Sequence, residues 1–322
     1  MDFSQRLKCR ERYSHVRENE NGMALIDYMT ANFLRFSRNE WLEKIAENRL
    51  AVNGQTVSAD FVLKKHDRVS FFEELQSEPS ANLSYKTVYE DEYLIVFDKP
   101  SDLCVHPTGP FYQHTLWYQA GKKYGELFFI GRLDRETSGL TVAARSKKIA
   151  AAMKINHKEY NVLVHGKFEH YIHAAGFLVK DENSVIAKKK RFSYDYVENS
   201  ETADTELFPV EVYGNGFSLV RAVLHTGRMH QIRATMFSLG FPVAGDKLYG
   251  VDETLYNKIA SQSFTAADRK KLILDNQALH CSKLEFLHPV TGEKMSFESP
   301  FNRIIGKRGC CKTVLRGKNL YE

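Results

Sequence analysis

The chain has 322 residues, and 43% of them are hydrophobic, enough to bury the core of one large domain and a small one. Its net charge is +5, from 45 Lys and Arg against 40 Asp and Glu, and its five cysteines lack the CxxC spacing of a zinc site. Wholesale disorder and a disulfide scaffold are therefore excluded. The sequence has no apolar run of membrane-spanning length, so we expect a cytoplasmic protein without a membrane partner.

The basic residues are concentrated in three segments, at 6–17, 188–191 and 303–318. We predict a basic N-terminal arm without regular pattern over residues 1–20 and a basic C-terminal tail over residues 303–322. The middle block is interpreted as a solvated loop, with phosphate binding as the alternative.

The first patterned region follows the arm. Apolar residues at helical spacing predict two short helices. Ser37 and Glu40 have the spacing of a capping box, which predicts that the second helix begins there. The Asn53-Gly54 dipeptide between two apolar runs predicts a tight hairpin. The run that starts at Asp67 predicts a further strand.

The segments SRNEWLEKIAENRLAVNG and KKHDRVSF resemble the S4 RNA-binding fold, within a predicted module and linker over residues 21–80. His66 stands where the S4 pattern has Gly. The resemblance implies that a basic helix face contacts RNA, and the candidates for that face are Arg35, Arg38, Lys44 and Arg49. The alternative is a solvated face that the neighbouring glutamates neutralise.

Beyond a polar linker, strand-like runs outnumber helical ones and show no βαβ rhythm. This pattern predicts an α/β (α+β) catalytic domain over residues 81–302, with a mixed, mainly antiparallel sheet. Nothing in the sequence indicates an obligate dimer, so we expect a monomer.

Five blocks of this domain resemble, in order, the motifs of RNA pseudouridine synthases of the RluA type. They are DKPSDLCVHPTG, GRLDRETSGL, KEYNVLVHG, HTGRMHQIR and HPVTGE, between residues 85 and 302. The resemblance implies the pseudouridine synthase fold and the isomerisation of a specific uridine in structured rRNA or tRNA. It implies no metal, nucleotide or other cofactor.

The same resemblance implies three catalytic residues. Asp134 is the nucleophile, Tyr160 lies against the base and assists the proton lost from carbon 5, and Arg233 forms an ion pair with Asp134. The chemistry of the residues agrees, because burial alone raises the pKa of a carboxyl group and neutralises it. A bidentate guanidinium reverses that tendency and fixes the carboxylate. Without the other blocks, we would interpret Tyr160 as a core residue of a strand, because it alternates with Val162 and Val164.

Two further cations lie near these residues in the sequence. Arg132 projects with Asp134 if the segment is extended, whereas Leu133 projects oppositely. We expect Arg132 to fill the space that the extruded base vacates, since flipping a base costs stacking energy. Lys158 shares the face of Tyr160 and is a candidate RNA contact.

The HTGRMHQIR block predicts phosphate or backbone contacts at a helix start. The four residues are Thr226, Arg228, His230 and Gln231. A metal site of His225 and His230 with Asp246 is the alternative, but the spacing of the histidines does not align them on one helical face. Asp246 is interpreted as orienting an arginine or capping a helix.

Two departures from the RluA-type motifs concern contacts to neighbouring nucleotides. Gly131 stands where these motifs usually have a His, and Thr235 stands where they commonly have a second His. Two other functions stay open from the sequence: a non-catalytic RNA-binding protein that retains the fold, and a metal-dependent RNA hydrolase. The sequence does not indicate which uridine is the target.

Overall fold

The computed structural model describes residues 3–214, 216–261 and 263–301, so the predicted C-terminal tail lies outside the described residues. The chain divides into two compact units. The first holds the described residues up to Pro79 together with Gly109–Gln113. The second holds Ser80–Thr108 and the described residues from His114 onward. Within the described ranges, the helices are too short or too polar to span a bilayer.

The first unit packs two helices on a three-stranded antiparallel sheet of order β1-β3-β2. Its elements are α1 (Phe3–Arg6), β1 (Cys9–His15), α2 (Leu25–Asn32), α3 (Arg38–Ala46), β2 (Leu50–Val52) and β3 (Arg68–Glu74). The core between helices and sheet is apolar and aromatic, with Leu25, Met29, Trp41 and Val69 all buried.

The local signals in this unit predicted its structure well. The Ser37 backbone N–H donates to the Glu40 carboxylate at 2.7 Å, and the Glu40 N–H donates back to the Ser37 hydroxyl, so the capping box is confirmed. Asn53 and Gly54 have positive φ angles of 50° and 85°, as a type I′ turn requires. After this turn Gln55 makes only an isolated bridge, and the ladder of β2 is completed by β3.

Two expectations about basic segments need correction. Residues Cys9–His15 of the supposedly unpatterned arm form β1, which pairs with β3 along its whole length. The strand was missed because its residues are mostly polar and it lies at the sheet edge. In the middle basic block, Lys189 is only 3% exposed and donates to Glu253 at 2.6 Å, so this part is not a solvated loop.

The second unit contains an eleven-stranded sheet, counted over the described residues. Its elements are β4 (Lys86–Glu90), β5 (Leu94–Lys99), α4 (Leu116–Tyr124), β6 (Phe128–Ile130), β7 (Ser138–Ala144), α5 (Lys147–Ala152), β8 (Ile155–His165), β9 (Ile172–Lys180), β10 (Lys190–Ser193), β11 (Glu201–Tyr213), β12 (Phe217–Leu224), α6 (Gln231–Ser238), α7 (Thr254–Ala260), α8 (Ala266–Lys271), β13 (Leu279–Leu287) and β14 (Lys294–Glu298). The strand order is β10-β9-β11-β12-β8-β13-β7-β5-β4, with β14 on β13 and β6 on β7. The predicted α+β fold with a mainly antiparallel sheet is confirmed.

The centre of this sheet brings distant parts of the chain together. Strand β13 pairs antiparallel with β8 and, over a short stretch, parallel with β7. Gly139 makes the second pairing possible, since a Cβ at this position would lie 2.2 Å from the Cys281 carbonyl oxygen. Helix α6 packs Ile232 and Met236 into the same core. The loop before β7, strand β8 and the start of α6 therefore converge.

Candidate active site

An ion pair joins two of these converging segments. Asp134 lies in the loop before β7, and Arg233 lies in the first turn of α6, 99 residues away. The Arg233 Nη1 donates to the Asp134 Oδ2 at 2.7 Å. The Arg233 side chain is 9% exposed and that of Asp134 is 28% exposed, so the carboxylate keeps an opening towards solvent. The predicted pairing of these residues is confirmed.

A second carboxylate fixes the other side of the guanidinium. The Arg233 Nε and Nη2 donate to the two oxygens of Asp246 at 2.6 and 2.9 Å. Asp246 is 1% exposed, and its Oδ1 also accepts the backbone N–H groups of Leu248 and Tyr249, both at 2.9 Å. Of the two roles considered for Asp246, orienting an arginine is therefore the one that the structure shows.

The charges of this network keep its members ionised. Burial by itself raises the pKa of Asp134, but the charge and hydrogen bond of Arg233 outweigh it, and the pKa lies below its ordinary value. The pKa of Asp246 is lowered in the same way, against its own burial. Burial would lower the pKa of Arg233, yet the two carboxylates raise it. At neutral pH the arrangement is carboxylate, guanidinium, carboxylate.

His230 adjoins the same carboxylate. It is the residue before α6 and takes a left-handed conformation with φ of 59°. Its Nε2 lies 3.9 Å from the Asp134 Oδ1, and its Nδ1 lies 3.3 Å from the Tyr249 hydroxyl. Burial and then the positive charge of Arg233 lower the pKa of His230 to about 4. The imidazole is therefore neutral at physiological pH.

Tyr160 lies on β8 and is 8% exposed. Burial, followed by the adjacent thiol of Cys281 on β13, raises the pKa of Tyr160 well above its ordinary value. The side chain is thus a neutral phenol. Two roles were predicted for Tyr160: to lie against the base and to assist the loss of its proton. A neutral phenol suits the first role better than it suits accepting a proton.

These side chains line a cavity of about 60 Å³. Its walls include Arg132, Asp134, Tyr160, Arg228 and Arg233. A smaller cavity of about 30 Å³ shares Arg132, Leu133 and Tyr160 with it and adds Lys158 and Cys281. Leu133 lines both cavities, so the alternation expected of an extended segment is wrong here, because residues 131–137 form an irregular loop.

The loop is irregular but fixed by residues that the sequence motifs did not assign. The Arg135 carbonyl accepts the Lys99 Nζ and the Leu103 N–H, both at 3.1 Å. Lys99 is fully buried and also donates to the Pro100 and Leu103 carbonyls. The sequence signal that could have identified Lys99 is the Lys99-Pro100 pair in the block DKPSDLCVHPTG. Three backbone carbonyls therefore accept hydrogen bonds from the buried Lys99 amine and replace the water that it loses.

The predicted contacts at the start of α6 divide into two kinds. Gln231 accepts from the Thr226 hydroxyl and the Arg228 N–H, and it donates to the Asp204 carbonyl and the Thr205 hydroxyl. All four hydrogen-bonding positions of this amide are therefore used internally. The expectation that Gln231 contacts phosphate is corrected, since Gln231 and Thr226 hold the turn. The Arg228 side chain is exposed at the cavity wall.

Other candidates are not among the residues that line this cavity. Arg35 and Arg38 belong to the first unit, where they pair with Glu73 and Asp27 respectively. The His225 Nε2 donates to the Glu206 carboxylate at 2.8 Å. Within the described ranges, no three His, Cys, Asp or Glu side chains are grouped as a metal site would need.

Known proteins are similar to this chain in sequence and in fold. Residues 93–238 match the family model described as RNA pseudouridylate synthase. The ribosomal large subunit pseudouridine synthase D of Vibrio cholerae is 30% identical over 306 residues, which cover 88% of this chain and 90% of that protein. An uncharacterised RNA pseudouridine synthase of Bacillus subtilis, YlyB, is 28% identical over 83% of this chain and 88% of its own.

The fold has a solved counterpart in human RNA pseudouridylate synthase domain containing 1. It has a TM-score of 0.53 and 23% identity, over 70% of this chain and 86% of that chain. The mixed, mainly antiparallel sheet of the second unit thus has the fold of a pseudouridine synthase. The chain belongs to the RNA pseudouridylate synthase family, and it is an isomerase.

Proposed function

We propose that this protein converts one specific uridine of a structured RNA, rRNA or tRNA, into pseudouridine, with Asp134 as the nucleophile. The observation that carries the proposal is a carboxylate kept ionised by Arg233 at the wall of a cavity. The name of the Vibrio cholerae relative refers to the large ribosomal subunit, which supports rRNA as the substrate class.

The proposed reaction rearranges one nucleotide without gain or loss of atoms. Asp134 attacks C1′ of the extruded uridine, and the bond between N1 and C1′ breaks with its electron pair left on the uracil. The uracil turns until C5 faces C1′, a bond forms between these carbons, and the bond between C1′ and Asp134 breaks to restore the carboxylate. C5 then loses its proton, and N1 carries one in the product. A nucleophile for this reaction must be charged in a site that excludes water, and the lowered pKa of Asp134 supports this role.

The neighbouring side chains have supporting roles in the proposal. Tyr160 packs against the uracil as a neutral phenol. Arg233 orients Asp134 and keeps its carboxylate ionised through the ion pair. Arg132, at the wall of the same cavity, enters the space that the base leaves in the RNA.

The function is tested with Asp134→Asn, which keeps the shape of the side chain and removes its charge. Pseudouridines are mapped across total RNA from cells without the gene, complemented with either protein. We expect the wild type to restore at least one pseudouridine and Asp134→Asn to restore none, a loss of at least about 10³-fold in rate. The control is Asp195→Asn, at an exposed position. Restoration by Asp134→Asn would remove the proposal.

The role of Arg132 is tested separately. Arg132→Ala should slow turnover on a structured RNA more than on a flexible single strand, because only the structured RNA has stacking to replace. Equal losses on both substrates would remove this part of the proposal.

We also propose that the first unit is an S4-like RNA-binding module. Its order of two helices, an Asn-Gly turn and a strand supports this. His66 adopts a left-handed φ of 71°, the conformation for which the S4 pattern uses Gly. Arg35 and Arg38 are the proposed contacts, and RNA phosphates would compete with their carboxylate partners.

A further inference from the structure

The mouth of the candidate site carries three cations that form no ion pair with any carboxylate of the described residues. Arg132 and Arg228 line the larger cavity, and Lys158 lines the smaller one beside Arg132. The Arg228 guanidinium donates to the backbone and hydroxyl oxygens of Thr202. As far as the structure describes the chain, none of the three cations forms an ion pair. Arg135, by contrast, is not among the residues that line either cavity, and it pairs with Asp102.

Lys158 occupies a particular place among these cations. Its Nζ lies 3.9 Å from the point where a Cβ would be at Gly131, and 3.7 Å from the corresponding point at Gly227. Gly131 precedes Arg132, and Gly227 precedes Arg228, so the two loops that carry the other cations meet at this ammonium. Because both neighbours lack side chains, the space around the Nζ is open on both sides. A longer side chain at either glycine would fill it.

The chemistry of this place favours an anion from the substrate. A half-buried ammonium without a carboxylate partner loses hydration that nothing in the described chain replaces. An RNA strand brings one phosphate for every nucleotide, and lysine binds phosphate as a point charge. A uridine that enters the cavity beside Asp134 and Tyr160 carries its own backbone phosphates to the rim.

We propose that Lys158, in the slot between Gly131 and Gly227, binds a backbone phosphate adjacent to the target uridine. The proposal rests on the proposed function, since the phosphate belongs to the substrate RNA. Lys158 is thereby a positioning residue for the nucleotide that Asp134 attacks. The alternative contact for the ammonium is a carbonyl oxygen of the uracil, which carries no net charge, and the two are separated by their dependence on salt.

The test measures binding of a fluorescein-labelled decauridylate by anisotropy, from about 50 to about 300 mM KCl. We expect Lys158→Met to weaken binding about three- to tenfold and to reduce the slope of log affinity against log salt by about 0.7, the value for one phosphate of a single strand. Lys158→Arg should retain most of the affinity. Gly227→Val keeps the lysine but fills the slot, and it should give the same loss as Lys158→Met.

The matched control is Lys283→Met, because Lys283 pairs with Glu285 and Glu298 and should change neither quantity. Weaker binding with an unchanged slope in Lys158→Met would overturn the proposal in favour of the uracil carbonyl. Unchanged binding would overturn it altogether. If Lys158→Met does not fold, a decamer with uncharged methylphosphonate linkages replaces it. On this probe the wild type and Gly227→Val should bind equally, and a persisting difference would contradict the proposal.

The two proposals fail in different ways. Pseudouridine formation by Asp134→Asn would remove the proposed reaction, whatever the salt slope of Lys158→Met. A wild-type slope in Lys158→Met, with activity that still depends on Asp134, would remove only the phosphate slot.

Discussion

At the scale of single residues, the site depends on how two carboxylates share one guanidinium. Asp134 uses one nitrogen of Arg233, and Asp246 uses the other two donors that the structure shows. Asp246 has two backbone N–H partners as well, whereas Asp134 is partly open to the cavity. The buried aspartate therefore holds the arginine in place, and the exposed one is available for chemistry.

This division predicts the effect of Asp246→Asn. The substitution removes one partner of a buried ion pair, which costs about 3 to 5 kcal/mol of unfolding free energy. It also frees the guanidinium to turn, so kcat should fall at least about tenfold while RNA affinity changes little. Urea unfolding and turnover measure the two effects. Asp252→Asn, at a half-exposed pair with Lys271, should stay within about 1 kcal/mol of the wild type. A wild-type kcat in Asp246→Asn would contradict the positioning role.

His230 predicts a dependence of stability on pH. Its pKa falls from an ordinary value near 6.5 to about 4 in the folded protein, so the unfolded state binds the proton more readily between these values. Stability that is fully present above pH 6.5 should then be lost as the pH falls to 4, by up to about 3 kcal/mol. Urea unfolding at several pH values should show a smaller loss over this window in His230→Gln. An equal loss in both proteins would assign the effect to other groups.

At the scale of elements, the loop of residues 131–137 has no regular structure, yet its backbone and side chains are bound on several sides. The Glu136 carbonyl accepts the Ser101 hydroxyl at 2.7 Å, and the Thr137 hydroxyl accepts from the Gln277 amide at 2.6 Å. These contacts add to the Lys99 bond at Arg135. A nucleophile on such a loop is positioned nearly as firmly as one on a strand.

The approach of β7 to β13 predicts a large effect of Gly139→Ala. The new Cβ would lie 2.2 Å from the Cys281 carbonyl oxygen, and φ at this position is +103°. Both the crowding and the backbone strain oppose alanine, so we expect a loss of more than about 3 kcal/mol of unfolding free energy. Gly292→Ala separates the two causes, since Gly292 has a φ of +72° but open space around it. It should cost about 1 to 2 kcal/mol from strain alone. Similar losses in the two variants would mean that the strands separate easily.

At the scale of the whole molecule, the net charge of +5 says little about where RNA binds. In the first unit, Arg35, Arg38, Lys44 and Arg49 all have carboxylate partners. In the second unit, the cations at the mouth of the cavity have none among the described residues. The effective positive charge is therefore greater at the candidate site than a count of basic residues alone indicates.

This difference predicts that relieving an ion pair in the first unit strengthens RNA binding. Asp27→Asn removes the carboxylate partner of Arg38, and if the unit is an RNA-binding module, the freed guanidinium should raise affinity about two- to threefold at low salt. Arg38→Ala should lower the affinity slightly. Decauridylate and a structured RNA serve as probes in an anisotropy assay. An unchanged affinity in Asp27→Asn would indicate that this helix face does not meet RNA.

The sequence by itself determined the features that depend on short-range contacts, the cap at Ser37 and the turn at Asn53-Gly54. The pairing of Asp134 with Arg233, 99 residues apart, was expected from the resemblance to the RluA-type motifs. The mainly antiparallel sheet followed from the absence of a βαβ rhythm. These signals are readable because each depends on a few neighbouring residues, or on a motif matched as a unit.

Only the tertiary structure decided which polar residues are internal and which face the cavity. From the sequence, Gln231 was expected to contact RNA and Lys189 to lie in a solvated loop. In the structure, segments distant in sequence supply hydrogen-bond partners for both side chains. The same packing buries Asp246 against Arg233 and leaves Lys158 without a partner in the described chain. The physical reason is that a charge is neutralised by whatever lies within a few ångströms of it. That neighbourhood depends on strand pairing across the whole sheet, which no local pattern contains.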